Sequence, residues 1–339
     1  MSRLATREGR ASPQADLDIA YFGKIPSRGD FVKASTGHPQ LLATLDRWAA
    51  QAIELMSIDT RWKLSYDAAL PLHFAFLGSR SRLGIAGYLA PSRDASERRF
   101  PFIAATAFEV DTPIGFIARS PLALSNAWAR LDALAQAAIT AADSSAALGA
   151  LTQTRITLEA SSPHHNERFD DFVEIQTLGA LEALLDSPQR PVQLKRLLIA
   201  LGVLLQPLLT HIGEPFDKNL VLPLPRDAHH RATCAAYWLE LLAPFVARID
   251  VELAIFIAQL HAQPVLVIGF EGASPAMLES VLHPTPANET RHVVIDDAEW
   301  VDAHVAGDPS LSKLAAYLDR PQLSLATARM SFFEAFIGA

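Results

Sequence analysis

Apolar positions along this chain follow two rhythms: short runs that are apolar on both faces, and longer stretches at helical spacing. Between Ile19 and Gly23 every residue is apolar or small. Ile19, Tyr21 and Gly23 fall on one side of an extended segment and Ala20 and Phe22 on the other, which predicts a strand inside a sheet. From His38-Pro39 the spacing changes. Proline tolerates a helical first turn because its missing N–H is not needed there. Leu41, Leu45, Trp48, Ala52 and Leu55 then recur at helical intervals, with Asp46, Arg47, Gln51 and Glu54 off that stripe. Trp48 on such a stripe reads as core, and Trp62 and Tyr66 mark a second short helix. Leu72 to Leu77, Gly84 to Ala90 and Phe100 to Phe108 predict three strands, whose short connectors favour antiparallel neighbours.

The second half repeats both rhythms. An alanine-rich helix is predicted from Leu122 to Leu151, followed by a polar connection or added strand from Thr154 to Glu174. Helices are predicted at Leu178 to Leu185 and Val192 to Ile212, the latter kinked or ended by Pro207. Asp227 can cap a helix through Tyr237, Trp238 and Phe245. Val251 to Ile257 and Val265 to Phe270 read as a hairpin. A short helix at Met277 to Leu282 and a strand at His292 to Asp296 permit a parallel pair, and three helical segments end the chain. The fold class is therefore α/β, a mixed sheet covered by helices.

Composition narrows the function classes. Half of the 339 residues are hydrophobic, enough for a sizeable core, and 29 basic against 37 acidic residues give a net charge of −8, which argues against a general nucleic-acid surface. Cys234 is the only cysteine, so an intrachain disulfide and a cysteine zinc cage are excluded. Residues 1–15 are polar and lack the apolar region of a secretory signal. The most membrane-like run, Leu197 to Gly213, is interrupted by Gln206, Pro207 and His211 and reads as a buried helix. A cytosolic setting fits, with no membrane insertion.

Chemistry concentrates at Tyr21 to Phe31, where Pro26 and Gly29 shape a charged loop and Gly29 permits a turn that a side chain would obstruct. A second charged loop, Ser92 to Arg99, can approach Arg28 and Asp30 if its strands flank the first one. No phosphate-binding glycine loop, GxSxG elbow or HExxH helix occurs. His164-His165 and His229-His230 read as exposed pairs. Asp296, Asp297, Glu299, Asp302 and His304 are the best acidic metal candidate, but Asp297 more simply caps a helix. No metal or cofactor is expected.

The Gly23, Lys24, Pro26 and Ser27-Arg28-Gly29-Asp30-Phe31 run, with Leu45-Asp46-Arg47-Trp48 and the block Pro91-Ser92-Arg93-Asp94 to Arg98-Arg99-Phe100-Pro101, resembles the TagF (ImpM) family of type VI secretion accessory proteins. Lys218 to Pro225 resembles a leucine-proline segment of its longer members. One departure stands at Glu97, where the family's PSxDxxGRxFP pattern has glycine. The resemblance implies a three-layer αβα sandwich with a largely antiparallel sheet. The chain reads as a tail at 1–15, a motif-bearing core at 16–190 and a C-terminal α/β part at 191–339, whose strands at Val251 and Val265 extend the N-terminal sheet or form a second domain, a shared core being preferred. The resemblance further implies a non-catalytic cytoplasmic protein that represses type VI secretion after translation. The implied partner is the system's forkhead-associated scaffold protein, with baseplate or membrane-complex components as further candidates. Lys24, Ser27, Arg28, Asp30, Ser92, Asp94 and Arg98 are the candidate protein-binding residues. The competing reading is a pocket at Arg28, Asp30, Asp94 and Arg98 that binds or hydrolyses a phosphorylated molecule.

Overall fold

The computed structural model describes residues 15–34, 39–186, 191–210, 218–289, 292–294 and 300–338. Residues 1–14 of the expected tail, the helix-opening His38, the C-terminal end of the run ending at Gly213, and Asp296, Asp297 and Glu299 lie outside them.

A nine-stranded sheet organises the chain. Its N-terminal strands are β2 (Ala20–Gly23), β3 (Val32–Ala34), β4 (Leu72–Gly78), β5 (Leu83–Ala90) and β6 (Phe102–Glu109). The C-terminal strands are β8 (Asn219–Pro223), β9 (Glu252–Leu260), β10 (Gln263–Gly269) and β11 (His292–Val294), and the order is β11-β8-β10-β9-β4-β5-β6-β2-β3. Every pairing is antiparallel except β11 on β8. Two short strands, β1 (Ala15–Asp18) and β7 (Arg155–Leu158), form a separate antiparallel ribbon. The mixed, largely antiparallel sheet flanked by helices is the expected α/β sandwich.

The strand at the organising loop is buried on both faces, as its pattern requires. Ala20 and Phe22 pack with α1 (Pro39–Met56), whereas Ile19, Tyr21 and Ile25 pack with α3 (Pro113–Thr140) and α4 (Ser145–Gln153). Helix α1 buries Leu41, Leu45, Trp48, Ala49, Ala52 and Met56. Leu55 is only half-buried and Met56 takes its expected place. Each large side chain on this stripe contributes about 1.5–3 kcal/mol by leaving water. The short α2 (Trp62–Ala68) follows, and α10 (Pro275–Leu282) packs beside α1 on the same face.

The opposite face is covered by α3 and α9 (Ala228–Val246), with α5 (Pro163–Ile175), α6 (Leu178–Leu185) and α7 (Leu194–Leu205) outside them. Helix α3 starts nine residues before its predicted start, because Phe116, Ile117 and Ala118 are already core. Pro121 lies within it and cannot bond to the Ile117 carbonyl. The Ser120 hydroxyl donates to that oxygen instead, at 2.9 Å. The alanine-rich segment is two helices, broken between Thr140 and Ser145, and the polar stretch after it holds β7 and α5.

Pro207 ends α7 and opens the single turn α8 (Pro207–Thr210). Asp227 caps α9 through the N–H of His229 at 3.0 Å. The short α11 (Pro286–Glu289) precedes β11, and α12 (Trp300–Gly307), α13 (Pro309–Leu318) and α14 (Leu325–Phe336) complete the chain. Among the described residues no helix is long and apolar enough to cross a membrane.

Candidate functional site

Strand β2 ends at Gly23, where the backbone turns left-handed (φ +135°) and a Cβ would stand 2.1 Å from the carbonyl oxygen of Pro101. This glycine, rather than Gly29, is the one the loop requires. Gly29 has ordinary φ and open space around its missing side chain, which corrects the expectation that a side chain there would obstruct the turn. Beyond Gly23 the chain makes a tight turn closed by the Arg28 N–H on the Ile25 carbonyl (3.1 Å), with Pro26 inside it.

The second loop joins the ends of β5 and β6 and meets the first directly. The Ala95 N–H donates to the Arg28 carbonyl at 2.8 Å. Asp94 sits at the junction, 1% exposed. Its Oδ1 accepts from the backbone N–H groups of Ser96 (2.9 Å) and Arg98 (3.0 Å). Its Oδ2 meets Lys24 Nζ at 3.0 Å and Arg98 Nε at 2.7 Å. Burial would raise this carboxyl, but the Arg98 N–H, the Lys24 ammonium and the Ser96 N–H together hold it far below the usual carboxylate range. Asp94 is thus a saturated internal anchor that fastens one loop to the other.

Its neighbours support the same joint. Tyr66 on α2 receives the Ser92 N–H at 3.0 Å and returns its hydroxyl to the Ser92 carbonyl at 3.2 Å. Arg99 makes two bonds to Asp67 of the same helix. Lys24 lies 5.1 Å from the centre of the Phe31 ring, which packs edge-on against Phe100 at 4.9 Å. Glu97 adopts φ +62°, the conformation in which glycine is free of strain, so this glutamate occupies a left-handed turn position. Its carboxylate meets Arg93 at 2.9 Å.

The seven candidate residues divide by exposure. Lys24, Ser92 and Asp94 are enclosed and hold the loops from within. The Ser27 hydroxyl is also enclosed although the residue as a whole is half-buried. Arg28, Asp30 and Arg98 face solvent at the side chain, Asp30 completely, and Arg98 stands 3.8 Å from it. Arg28 turns away from Asp94 towards the start of α4, donating to Ser144 Oγ (3.1 Å) and Ser145 Oγ (2.6 Å), with Asp143 at 3.6 Å. Of the four residues of the competing reading, Arg98 joins Asp94 and Asp30, whereas Asp94 is sealed by its own partners and the Arg28 side chain serves another element.

Sequence reasoning missed Phe31, half-exposed beside these charges, and Ser144 and Ser145, which carry no local signal. Phe22, Phe31, Val32, Ala34, Leu42 and Ala43 line a groove between β3 and α1, with Lys33 and Asp46 at its rim. Elsewhere, His164 pairs with Glu167 and His229 with Asp227 on exposed surface, while His165 meets the Glu159 carbonyl. Asp302 is held by Arg196 and His304 by the Trp300 carbonyl. Cys234 is fully buried and burial pushes its thiol up. Among the described residues no three metal-ligating side chains converge.

Residues 20–154 match the family model described as TagF N-terminal domain, Type VI secretion system-associated. The matched interval runs from the start of β2 to the end of α4, so it contains both loops and the Arg28 partners on α4. No match was found among curated proteins. Among solved structures, the crystal structure of PA0076 from Pseudomonas aeruginosa PAO1 is similar at 19% identity, covering 44% of this chain and 74% of that one, with a TM-score of 0.32.

Proposed function

We propose that this chain is a non-catalytic, cytoplasmic repressor of type VI secretion that acts after translation by binding other proteins of the system. The observation that carries the reading is the match of residues 20–154 to a type VI secretion-associated domain, together with the loop joint inside that interval. A buried carboxylate with four donors has no free lone-pair geometry to offer a reaction, and its lowered titration follows from structural bonding. What it produces is a rigid platform. Asp30 projects from that platform beside the half-exposed Phe31 and Arg98, with Arg28 held against α4 at its edge, an aromatic within a charged rim. Such a surface suits a protein partner, and we assign that role to the forkhead-associated scaffold protein, with baseplate or membrane-complex components as further candidates. The phosphorylated-ligand reading has less support, because Asp94 is saturated by its own partners and Arg28 is engaged on α4.

The test pairs function with stability. Arg28→Ala with Asp30→Ala should cost about 0–1 kcal/mol for the exposed charge pairs and about 1 kcal/mol more for the Arg28 bonds to Ser144 and Ser145, since Asp30 is fully exposed and Arg28 partly so. Loss of charges desolvated at an interface costs more, about 2–5 kcal/mol of binding. The double variant should therefore fold normally yet fail to repress secretion and fail to retain the scaffold protein in a pull-down. A stable variant with unaltered repression and binding would refute the assignment of this face. Unchanged secretion on deletion and on overproduction of the whole protein would refute the regulatory role itself.

A further inference from the structure

Strand β3 ends the sheet: β2 pairs with one of its sides, and no described strand pairs with the other. Such an edge keeps a row of backbone donors and acceptors ready for another chain. It borders the groove against α1, which holds about 710 Å³. The far wall is a second stripe of that helix, Pro39, Leu42, Ala43 and Asp46, spaced by three and four residues and distinct from the buried Leu41, Leu45 and Trp48. The near wall follows from the register. Lys33 lies opposite Phe22, which packs with α1, so Phe31 and Lys33 belong to the groove side of the sheet while Val32 and Ala34 pack on the other face. Lys33 and Asp46 are both exposed and have no ion-pair partner among the described residues. A lysine on an edge strand commonly guards against pairing. What sets this edge apart is the apolar floor of Phe22, Phe31 and Leu42 beside it, together with a charge left uncompensated on each wall.

We propose that β3 receives an extended segment of a partner protein as an added strand, with the groove taking every second side chain of that segment. This deepens the protein-binding reading above and rests on it for the partner's identity. Main-chain bonds to β3 supply affinity, and the groove selects sequence. Opposite Lys33 an acidic side chain is favoured, because directly opposed residues on neighbouring strands share a face and opposite charges there attract. Two positions to either side, the side chains point the same way, over Phe31 and Leu42, and are apolar. Asp46 on the far wall repels a second carboxylate. The preferred segment therefore reads apolar-x-acidic-x-apolar with a single acid. Phe31, the residue after Asp30, joins this groove to the charged rim formed by Asp30 and Arg98.

A random dodecapeptide library displayed on phage and panned on the full chain supplies the probe. Enriched peptides should carry one acidic residue with apolar residues two positions to each side, and should protect the free amides of β3 from hydrogen exchange. Ala43→Arg, at an exposed position of α1, puts a long side chain into the groove and should weaken these peptides by about tenfold or more. Lys33→Glu should weaken them by about threefold or more and shift the preference at the acidic position to lysine or arginine. Both variants should melt as the unaltered chain does. No enrichment, peptides without this spacing, or unaltered binding by both variants overturns strand addition at β3. A dimer that Ala43→Arg dissociates gives the groove to a second copy and overturns it as well. A selected peptide that behaves as expected but does not displace the forkhead-associated scaffold protein upholds the groove and refutes the partner assigned above.

Discussion

A single backbone position decides how the two loops meet. At Gly23 any side chain would enter the Pro101 carbonyl at 2.1 Å while the backbone holds φ +135°, so Gly23→Ala should destabilise by about 2–4 kcal/mol through overlap and strain together. Gly29→Ala meets open space at ordinary φ and should lie within about 0.5 kcal/mol of neutral. Urea unfolding of the two variants checks the contrast, and equal losses would show that the joint tolerates movement at Gly23. Residue identity alone misled here. The Ser27-Arg28-Gly29-Asp30 run drew attention to Gly29, whereas the restraint on Gly23 comes from a residue 78 positions further on, close only once β2 pairs with β6. At Asp94 the sequence offered only a charged loop able to approach the first one, and nothing local reveals that Lys24 will arrive from that loop. Glu97 was the legible exception, since a departure from an expected glycine points to the left-handed backbone found there.

Among the elements, long periodic ones were readable and short ones only where both faces are apolar, as in β2. Helix α1, the three strands β4 to β6 and the β9–β10 hairpin follow from their patterns, β7 realises one of the two alternatives for its stretch, and β1 and β3 have three or four residues each, too few for alternation to register. Where β4 meets α3, His73 stacks on Trp128 at 5.8 Å beside Tyr88, with Asp132 at 3.9 Å. Burial lowers the imidazole below its ordinary 6.5 and the charge of Arg231 adds to this, while Asp132 opposes. The folded chain then binds fewer protons here than the unfolded one. Stability from this site is intact above pH 6.5 and is lost as pH falls through the lowered folded value. His73→Gln should therefore lose less stability between pH 7.5 and 5 than the unaltered protein. Equal drops in the urea midpoint would show that the ring does not titrate in this way.

At the scale of the molecule, the α/β class was legible and the strand order was not, because β9 and β10 are apolar on both faces and would suit any interior position. In the sheet, β9 lies directly against β4 over the register His73–Gly78 with Glu252–Ile257. Residues 16–190 by themselves would leave β4 as an open apolar edge and strip α9 from α3. That fragment should aggregate or unfold without a cooperative transition, and co-production with residues 191–339 should restore soluble material. A monomeric, cooperatively folding fragment would instead make 16–190 an independent domain. The same neighbour relation sets a clock during synthesis. The residue that pairs with Gly78 is Glu252, so at cellular elongation rates the outer side of β4 waits roughly ten to thirty-five seconds on the ribosome before its partner exists. Chains stalled before residue 252 should stay open to protease at β4, and this makes the growing polypeptide, more than the finished protein, the form that needs a chaperone.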